Sequence, residues 1–416
     1  MNSEFHRSNR TELYNSIPPG SMAILYSGQA PRKTGDEYYP FFANRSFVYL
    51  TGIEQQNSIL VALKTDDSSA NEVLFMLPPN LLEERWNGKR LSEAQTQEQS
   101  GIEQVRYFQE FQAYTDRILK ENKVEYVYLD FDKLKSDEPD NESFRMAAYI
   151  RDTYPGIIMR NLQKQLKKQR TIKKPCEIEA LRKAEEITRD GIIAMMQASK
   201  PGMYEYQYKA IFDSVLTNQG VLAPGFPSII SAGQNNFCIH YYSYRGQAKD
   251  GDLILNDVGA TYDNMINDVS RGWPCNGKYT EQQRLLYECA YETSNYMFSI
   301  LKPGIPMLEV DRTAKKYNYE LLKKLGLCKE FKDADKYIWH GGAHHIGYDV
   351  HDMVTPPDEI VTAPGMVFCV DIGIYCEPWG TGFRLEDNCL ITESGCENLS
   401  AAIPRKMDEI EAIMGK

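Results

Sequence analysis

Two pairs of acidic residues are spaced symmetrically about turn-forming sequences, and this spacing constrains the fold more than any other feature. Asp257 ends the apolar run LILND and Asp268 follows eleven residues later, so their midpoint falls between Tyr262 and Asp263. The Asp263-Asn264 dipeptide is favourable turn chemistry. A hairpin centred at that midpoint would place the two aspartates opposite each other, with Cβ atoms about 4.5–5.5 Å apart.

The second pair repeats this arrangement with a longer loop. Asp371 ends the run MVFCVD and Glu386 begins EDNCLIT. Their midpoint falls between Pro378 and Trp379, within the loop-like run PWGTG. The sequence therefore predicts two hairpins, each of which presents a facing pair of carboxylates at the end of apolar strands.

A cluster of histidines indicates what these acids could bind. Facing carboxylates repel each other and are costly to bury without a cation or a proton. Any one of the four acids alone is better explained as an exposed strand end paired with lysine or arginine. However, four of the six histidines lie in the single stretch HGGAHHIGYDVHD. Oxygen ligands with one imidazole suit two divalent ions such as Mn²⁺, Fe²⁺, Co²⁺ or Zn²⁺, and a water between such ions loses its proton near neutral pH. The pattern predicts metal-assisted attack on a carbonyl or phosphoryl group.

Length, charge and cysteine usage exclude several classes of protein. The 416 residues predict two or three domains. We expect no membrane association, because no apolar run approaches the roughly 20 residues that span a bilayer and the polar start MNSEFHRSNR lacks a secretory signal. The net charge of −11 argues against nucleic-acid partners. Nine cysteines without a Cys-x-x-Cys pair are typical of reduced thiols in a cytoplasmic protein, and their spacing supports neither a zinc-thiolate site nor a redox centre.

The chain is predicted to form two mixed domains, 1–165 and 166–416. The basic segment RNLQKQLKKQRTIKKP is interpreted as a solvated connection between them. In the first domain the runs FVYL, SILVALK and EVLFMLP are predicted to be strands. In the second, Pro175 is predicted to begin a helix that ends at about Ser199.

Several of these stretches carry a family resemblance. They are NDVGATYDNMINDVSR, HHIGYDVHD, PGMVFCVDIGIY, GFRLEDNCLIT, GQNNFCIHY, YYPFFANRSFVYLTGI and IPRKMDEIEAIM. Together they resemble the creatinase/aminopeptidase family with the pita-bread fold, and within it the Xaa-Pro aminopeptidases and the prolidases. The resemblance implies an α+β protein, with an N-terminal creatinase-like α/β domain and a C-terminal pita-bread domain of antiparallel sheet and flanking helices.

The resemblance also implies the site residues. The metal ligands would be Asp257, Asp268, His344, Asp371 and Glu386, with Asp268 and Glu386 bridging two divalent ions. Mn²⁺ is favoured, with Co²⁺, Zn²⁺ and Fe²⁺ as alternatives.

The remaining roles fall to three histidines and one arginine. His240 and His351 would contact the scissile carbonyl and stabilise the oxyanion, as catalytic and substrate-binding residues. Arg384 would hold a neighbouring carboxylate. His340 would line the pocket for the proline ring, with a spacer or packing role as an equal alternative. The resemblance implies no role for His345, which is expected either to pack or to lie at the surface.

One position departs from the family pattern. Asp371 stands where the family usually has a glutamate ligand that is also the general base. Aspartate is shorter by one methylene, roughly 1.5 Å. Either the strand lies closer to the site, a metal is held loosely, or one metal is lost.

The implied activity is metal-dependent hydrolysis of the Xaa-Pro bond, which releases the N-terminal residue from peptides with proline second. One alternative is a prolidase that cleaves Xaa-Pro dipeptides. The other, raised by Asp371, is a weakly active or noncatalytic pita-bread protein. The resemblance further implies a homo-oligomer, either a dimer or a higher assembly.

Overall fold

The computed structural model describes residues 1–67, 70–121, 124–352 and 359–415, which form two compact units, Met1–Gln169 and Arg170–Lys416. Helices and strands are mixed in both units, so the expected α+β class is confirmed. Within the described ranges, none of the helices combines the length and the apolar character needed to cross a bilayer.

The first unit is built on a six-stranded sheet of order β6-β5-β4-β1-β7-β8, which contains parallel and antiparallel pairs. Its strands are β1 Ser21–Tyr26, β2 Arg32–Thr34, β3 Glu37–Tyr38, β4 Ile59–Lys64, β5 Ala70–Met76, β6 Val105–Tyr107, β7 Tyr126–Leu129 and β8 Ile158–Asn161. Its helices are α1 Ser3–Asn15, α2 Arg45–Thr51, α3 Leu81–Asn87, α4 Glu93–Ser100, α5 Phe111–Lys120 and α6 Glu142–Thr153. Apolar residues of the central strands pack against α5 and α6.

Helix α2 replaces one of the predicted strands. The run FVYL is helical, because the Asn44 side chain caps the helix start by accepting from Phe47 N and Gly52 ends it at a φ of 70°. Every residue of α2 is buried. Helix periodicity is therefore invisible in this short apolar run, and β-favouring residue types misled the prediction.

The basic segment is not a solvated connection. It forms α7, Gln163–Thr171, and both Leu162 and Leu166 are fully buried. The buried cations Arg170 and Lys173 both donate to Asp352, the residue after His351. Buried charges need such partners, so these two cations anchor the histidine-containing segment.

The second unit contains two larger antiparallel sheets, β13-β10-β9 and β14-β15-β16-β17, the two-stranded antiparallel pair β11-β12, and one core. Its strands are β9 Ile229–Ala232, β10 Leu253–Val258, β11 Thr261–Tyr262, β12 Met265–Ile266, β13 Val269–Pro274, β14 Ala343–His345, β15 Val367–Cys376, β16 Thr381–Ile391 and β17 Cys396–Asn398. Its helices are α8 Pro175–Ala198, α9 Glu205–Asn218, α10 Glu281–Ile300, α11 Met307–Lys324 and α12 Met407–Met414. Helix α8 begins at Pro175 as predicted.

The hairpin β15–β16 confirms the predicted pairing of its acids. It runs without interruption from the pair Val367–Leu390 to the pair Cys376–Thr381. Asp371 lies directly opposite Glu386 within this ladder.

The hairpin β10–β13 does not pair as predicted. Asp263 and Asn264 form its turn, with φ values of 47° and 68°. Positive φ at both central residues is the type I′ geometry of two-residue hairpins. The centre therefore lies between these two residues, and Asp257 faces Ser270 rather than Asp268. The prediction that Asp257 and Asp268 lie directly opposite each other was therefore wrong.

Candidate metal centre and active site

Strand alternation separates the site from the core. On β15 the side chains of Phe368, Val370, Ile372 and Ile374 belong to the core of the second unit. The residues between them occupy the opposite face, because successive side chains alternate. That face carries Cys369, Asp371, Gly373 and Tyr375, which pair with Asn388, Glu386, Arg384 and Gly382.

Asp268 is held at this face by hydrogen bonds with the Asn388 side chain, and not by backbone pairing within its own hairpin. It lies between the two short ladders β11–β12 and β10–β13. The Asn388 side chain accepts from Asp268 N at 3.1 Å and donates to Asp268 O. A side-chain amide can satisfy both backbone groups of one residue, and this contact fixes Asp268 next to Glu386.

The acids form a buried cluster with open coordination positions. Asp268 is 4% and Glu386 2% exposed. Burial, followed by the charges of Glu386 and Asp257, raises the pKa of Asp268 well above its usual value. Among the described residues, Oδ1 of Asp257, Asp268 and Asp371 has no hydrogen-bond partner. Buried carboxylate oxygens without donors are suited to divalent cations.

His344 supplies an imidazole to the cluster. Its Nε2 lies 3.0 Å from Glu386 Oε1 and 3.6 Å from Asp268 Oδ2. Burial lowers the pKa of His344, but the hydrogen bond to Glu386 and the nearby carboxylates outweigh burial and raise it. A metal at this position would take the place of the proton.

Cys369 is a cluster member that sequence reasoning missed. One ligand atom from each of Asp268, His344, Cys369 and Glu386 lies within 4.8 Å of the others. The missed signal was strand alternation, because Cys369 precedes Asp371 by two residues and so shares its face.

Arg384 connects the two hairpins. Its Nη2 donates to Asp257 Oδ2 at 2.7 Å and its Nη1 donates to Tyr375 Oη at 3.0 Å. Ser270, the strand partner of Asp257, donates to Glu386 Oε2 at 2.9 Å. These contacts between side chains hold the acids of both hairpins at one place.

His351 lies beside the cluster. Its ring centroid is 4.6 Å from that of His344, in an edge-to-face arrangement. Burial, then the charge of His344, lowers the pKa of His351. His240 lies in the same neighbourhood, because Arg384 Nη1 donates to the backbone carbonyl of the preceding residue, Ile239, at 3.2 Å.

His240 lies in an exposed loop, and both ends of this loop donate hydrogen bonds to Glu205. The buried Glu205 carboxylate accepts from Ala232 N at 2.9 Å, Asn235 Nδ2 at 2.8 Å and Gly246 N at 2.7 Å. Both ends of the His240 loop are thereby held by one side chain, a positioning contact that no sequence motif indicated.

The comparisons with known proteins agree with this geometry. Residues 179–393 match metallopeptidase family M24, and residues 6–128 match the aminopeptidase P N-terminal domain. The chain belongs to metallopeptidase family M24. The Xaa-Pro aminopeptidase of Escherichia coli is 32% identical over 99% of this chain and 97% of its own length.

Solved structures of aminopeptidase P are similar to this chain over its whole length. A putative aminopeptidase P from Bacillus anthracis has a TM-score of 0.97 and 34% identity, covering 100% of this chain and 99% of its own. Zinc-substituted E. coli aminopeptidase P in complex with product has a TM-score of 0.92 and 29% identity, covering 100% of this chain and 98% of its own.

Asp371 contacts a second histidine, His340. His340 Nδ1 lies 3.1 Å from Asp371 Oδ2, and His340 Nε2 lies 3.1 Å from Tyr375 Oη. Burial lowers the pKa of His340, but the charge of Asp371 outweighs it and raises the pKa to about 9. Trp339, His340 and Asp371 line a cavity of about 550 Å³.

His345 lies on the other side of β14. It is buried, and its ring packs 5.8 Å from that of Phe368. This position is consistent with a packing role.

Proposed function

We propose that the protein is a Xaa-Pro aminopeptidase, which hydrolyses the bond before proline and releases the N-terminal residue. The observation that carries this proposal is the convergence of buried acids from two hairpins on His344, with Asp268 Oδ1 lacking any described partner. Relatives that align over nearly the whole chain bear this name.

The proposed metal ligands are Asp257, Asp268, His344, Asp371 and Glu386. Two divalent ions held there would polarise the scissile carbonyl and lower the pKa of a bound water. We favour Mn²⁺, because most of these ligands are carboxylate oxygens, with Co²⁺, Zn²⁺ and Fe²⁺ as alternatives.

The chain's own residues would divide the remaining work. His240 and His351 would donate to the carbonyl oxygen as it gains charge, since oriented donors stabilise an oxyanion. Asp371 Oδ1 would accept the proton of the attacking water, while its Oδ2 is held by His340. Arg384 would hold Asp257 in position through their ion pair at 2.7 Å.

His340 and Tyr375 would form a wall for the proline ring beside Asp371. Proline at the second position carries no N–H and has a fixed φ. An enzyme for this bond cannot use a hydrogen bond from that nitrogen, so shape and the placement of the carbonyl must supply recognition.

The cellular setting is also a proposal. All nine cysteines are unpaired. Reduced thiols are typical of the cytoplasm, where we place the protein. We propose a homodimer or a higher homo-oligomer, by analogy with the family.

Cleavage of three matched peptides tests the function. The purified protein is incubated with Mn²⁺, Co²⁺, Zn²⁺ or Fe²⁺, or with a chelator, and products are identified by mass spectrometry. We expect cleavage of a tripeptide with proline second, no cleavage of the same tripeptide with alanine second, and loss of cleavage after metal removal.

Two outcomes would overturn the proposal. Cleavage of an Xaa-Pro dipeptide without cleavage of the tripeptide would make the protein a prolidase. No cleavage of any peptide with any of the four metals would make it a noncatalytic member of the family.

A further inference from the structure

Cys369 places a thiol within the donor cluster. It is fully buried on β15, opposite Asn388 on one side and His344 on the other. Its Sγ lies within 4.8 Å of donor atoms of Asp268, His344 and Glu386. The two other cysteines of this hairpin, Cys376 and Cys389, belong to the apolar core on the opposite face.

A separate observation indicates that this cluster binds a cation. Asp268 has a side chain that is 5% exposed, and its Oδ1 has no hydrogen-bond partner within the described part of the chain. His344 Nδ1 is also buried without a partner there. One imidazole, one thiol and two carboxylates therefore surround a position that no protein donor fills.

We propose that Cys369 is an additional metal donor, which makes the Asp268–His344–Glu386 end of the site selective for a thiophilic ion such as Zn²⁺ or Cd²⁺. This inference rests on the proposed metallopeptidase function and adds a sulfur donor to its five ligands. On metal binding the thiol proton passes to solvent and a metal–sulfur bond forms, so no oxidant is required.

The geometry and the chemistry both allow this bond. Tetrahedral zinc with bonds of about 2.0–2.3 Å brings donors to about 3.5 Å from each other. The four donor atoms already lie within 4.8 Å of one another, close to this spacing. Soft thiolate selects zinc over manganese. Asn388 Nδ2 donates to Cys369 Sγ at 3.4 Å, which is the kind of outer contact that orients a ligand.

Cobalt absorption tests the sulfur bond without relying on turnover. Co²⁺ is added to the metal-free protein, to Cys369→Ser and to Cys389→Ser as the matched control. We expect a thiolate-to-cobalt charge-transfer band in the near ultraviolet for the wild type and for Cys389→Ser, and its loss in Cys369→Ser. Competition titrations should show the preference for Zn²⁺ over Mn²⁺ falling by at least about tenfold in Cys369→Ser.

A second measurement uses only the wild-type protein, so it tests the proposal even if Cys369→Ser does not fold. The ¹¹³Cd spectrum of the wild-type protein should show a resonance shifted downfield, as sulfur ligation requires. Bound cobalt without the band, or a cadmium resonance in the range of purely oxygen and nitrogen ligands, would overturn the proposal. A protein that shows the band but cleaves no peptide would overturn the proposed function alone. One that cleaves the tripeptide without the band would overturn only the role of Cys369.

Discussion

The two hairpins that bring the acids together differ in how regularly they pair. The ladder β15–β16 is continuous, and Asp371 faces Glu386 within it. The ladder β10–β13 stops at Val258, and pairing resumes as β11–β12 closer to the turn. The interruption leaves Asp268 outside both ladders.

The two backbones approach each other closely at this interruption. A Cβ atom on Gly259 would lie 1.8 Å from Asn267 O. Only glycine tolerates such contact. The regular hairpin places both of its acids by register. In the irregular hairpin the register places Asp257 opposite Ser270, where Arg384 donates to it, but Asp268 depends on Asn388 from the neighbouring hairpin.

The largest expected effect comes from removing the central acid of either hairpin. Glu386→Gln and Asp268→Asn should each lower kcat/KM for the tripeptide by about 10³ or more, since several kcal/mol of charge stabilisation depend on the metal. Bound metal, measured by elemental analysis, should fall in both. Glu377→Gln, in the exposed loop of β15–β16, is the control. If either variant kept its metal and its turnover within tenfold, that acid would not be a ligand.

The next effect is on folding of the irregular hairpin. Gly259→Ala should destabilise the protein by more than about 3 kcal/mol, because the methyl group meets backbone rather than a movable side chain. The midpoint temperature of thermal unfolding should fall by at least about 6 °C. Gly395→Ala, where a Cβ meets nothing within 4 Å, should change stability by less than about 0.5 kcal/mol. Equal behaviour of the two variants would contradict the close approach.

Asn388→Ala should separate the hairpins without removing any proposed ligand. Loss of both contacts to the Asp268 backbone should cost about 1–3 kcal/mol, and kcat/KM should fall about 10–100-fold as the acid moves. Asn276→Ala, which removes two exposed contacts, one to Asp250 and one from Lys278 N, is the comparison. Unchanged kcat/KM in Asn388→Ala would mean that the first hairpin places Asp268 by itself.

The smallest effect concerns the turn. Asn264 has a φ of 68°, so Asn264→Ala should cost about 1 kcal/mol and lower the thermal midpoint by about 2–4 °C. Asn264→Gly should be neutral or slightly stabilising, and kcat/KM should stay unchanged in both. A change in turnover with either variant would show that the turn, and not Asn388, sets the position of Asp268.

Much of the second unit could be predicted from local signals. The helix start at Pro175 and the pairing of Asp371 with Glu386 follow from turn chemistry and strand periodicity. The same midpoint rule failed for Asp257 and Asp268, because their midpoint lies between Tyr262 and Asp263 whereas the turn is centred between Asp263 and Asn264. The helix at FVYL and the burial of Arg170 and Lys173 depend on neighbours distant in the chain, which no local pattern contains.

By itself, the sequence determined the residue types that meet in the site, since acids at strand ends and clustered histidines are readable from spacing. Only the tertiary structure decided which donors share one position. Asp268 is placed by an amide from another strand, and the Cys369 thiol lies among its donor atoms because β14 pairs with β15. Contacts between distant segments form only when the whole core packs, so their partners cannot be read from either segment alone.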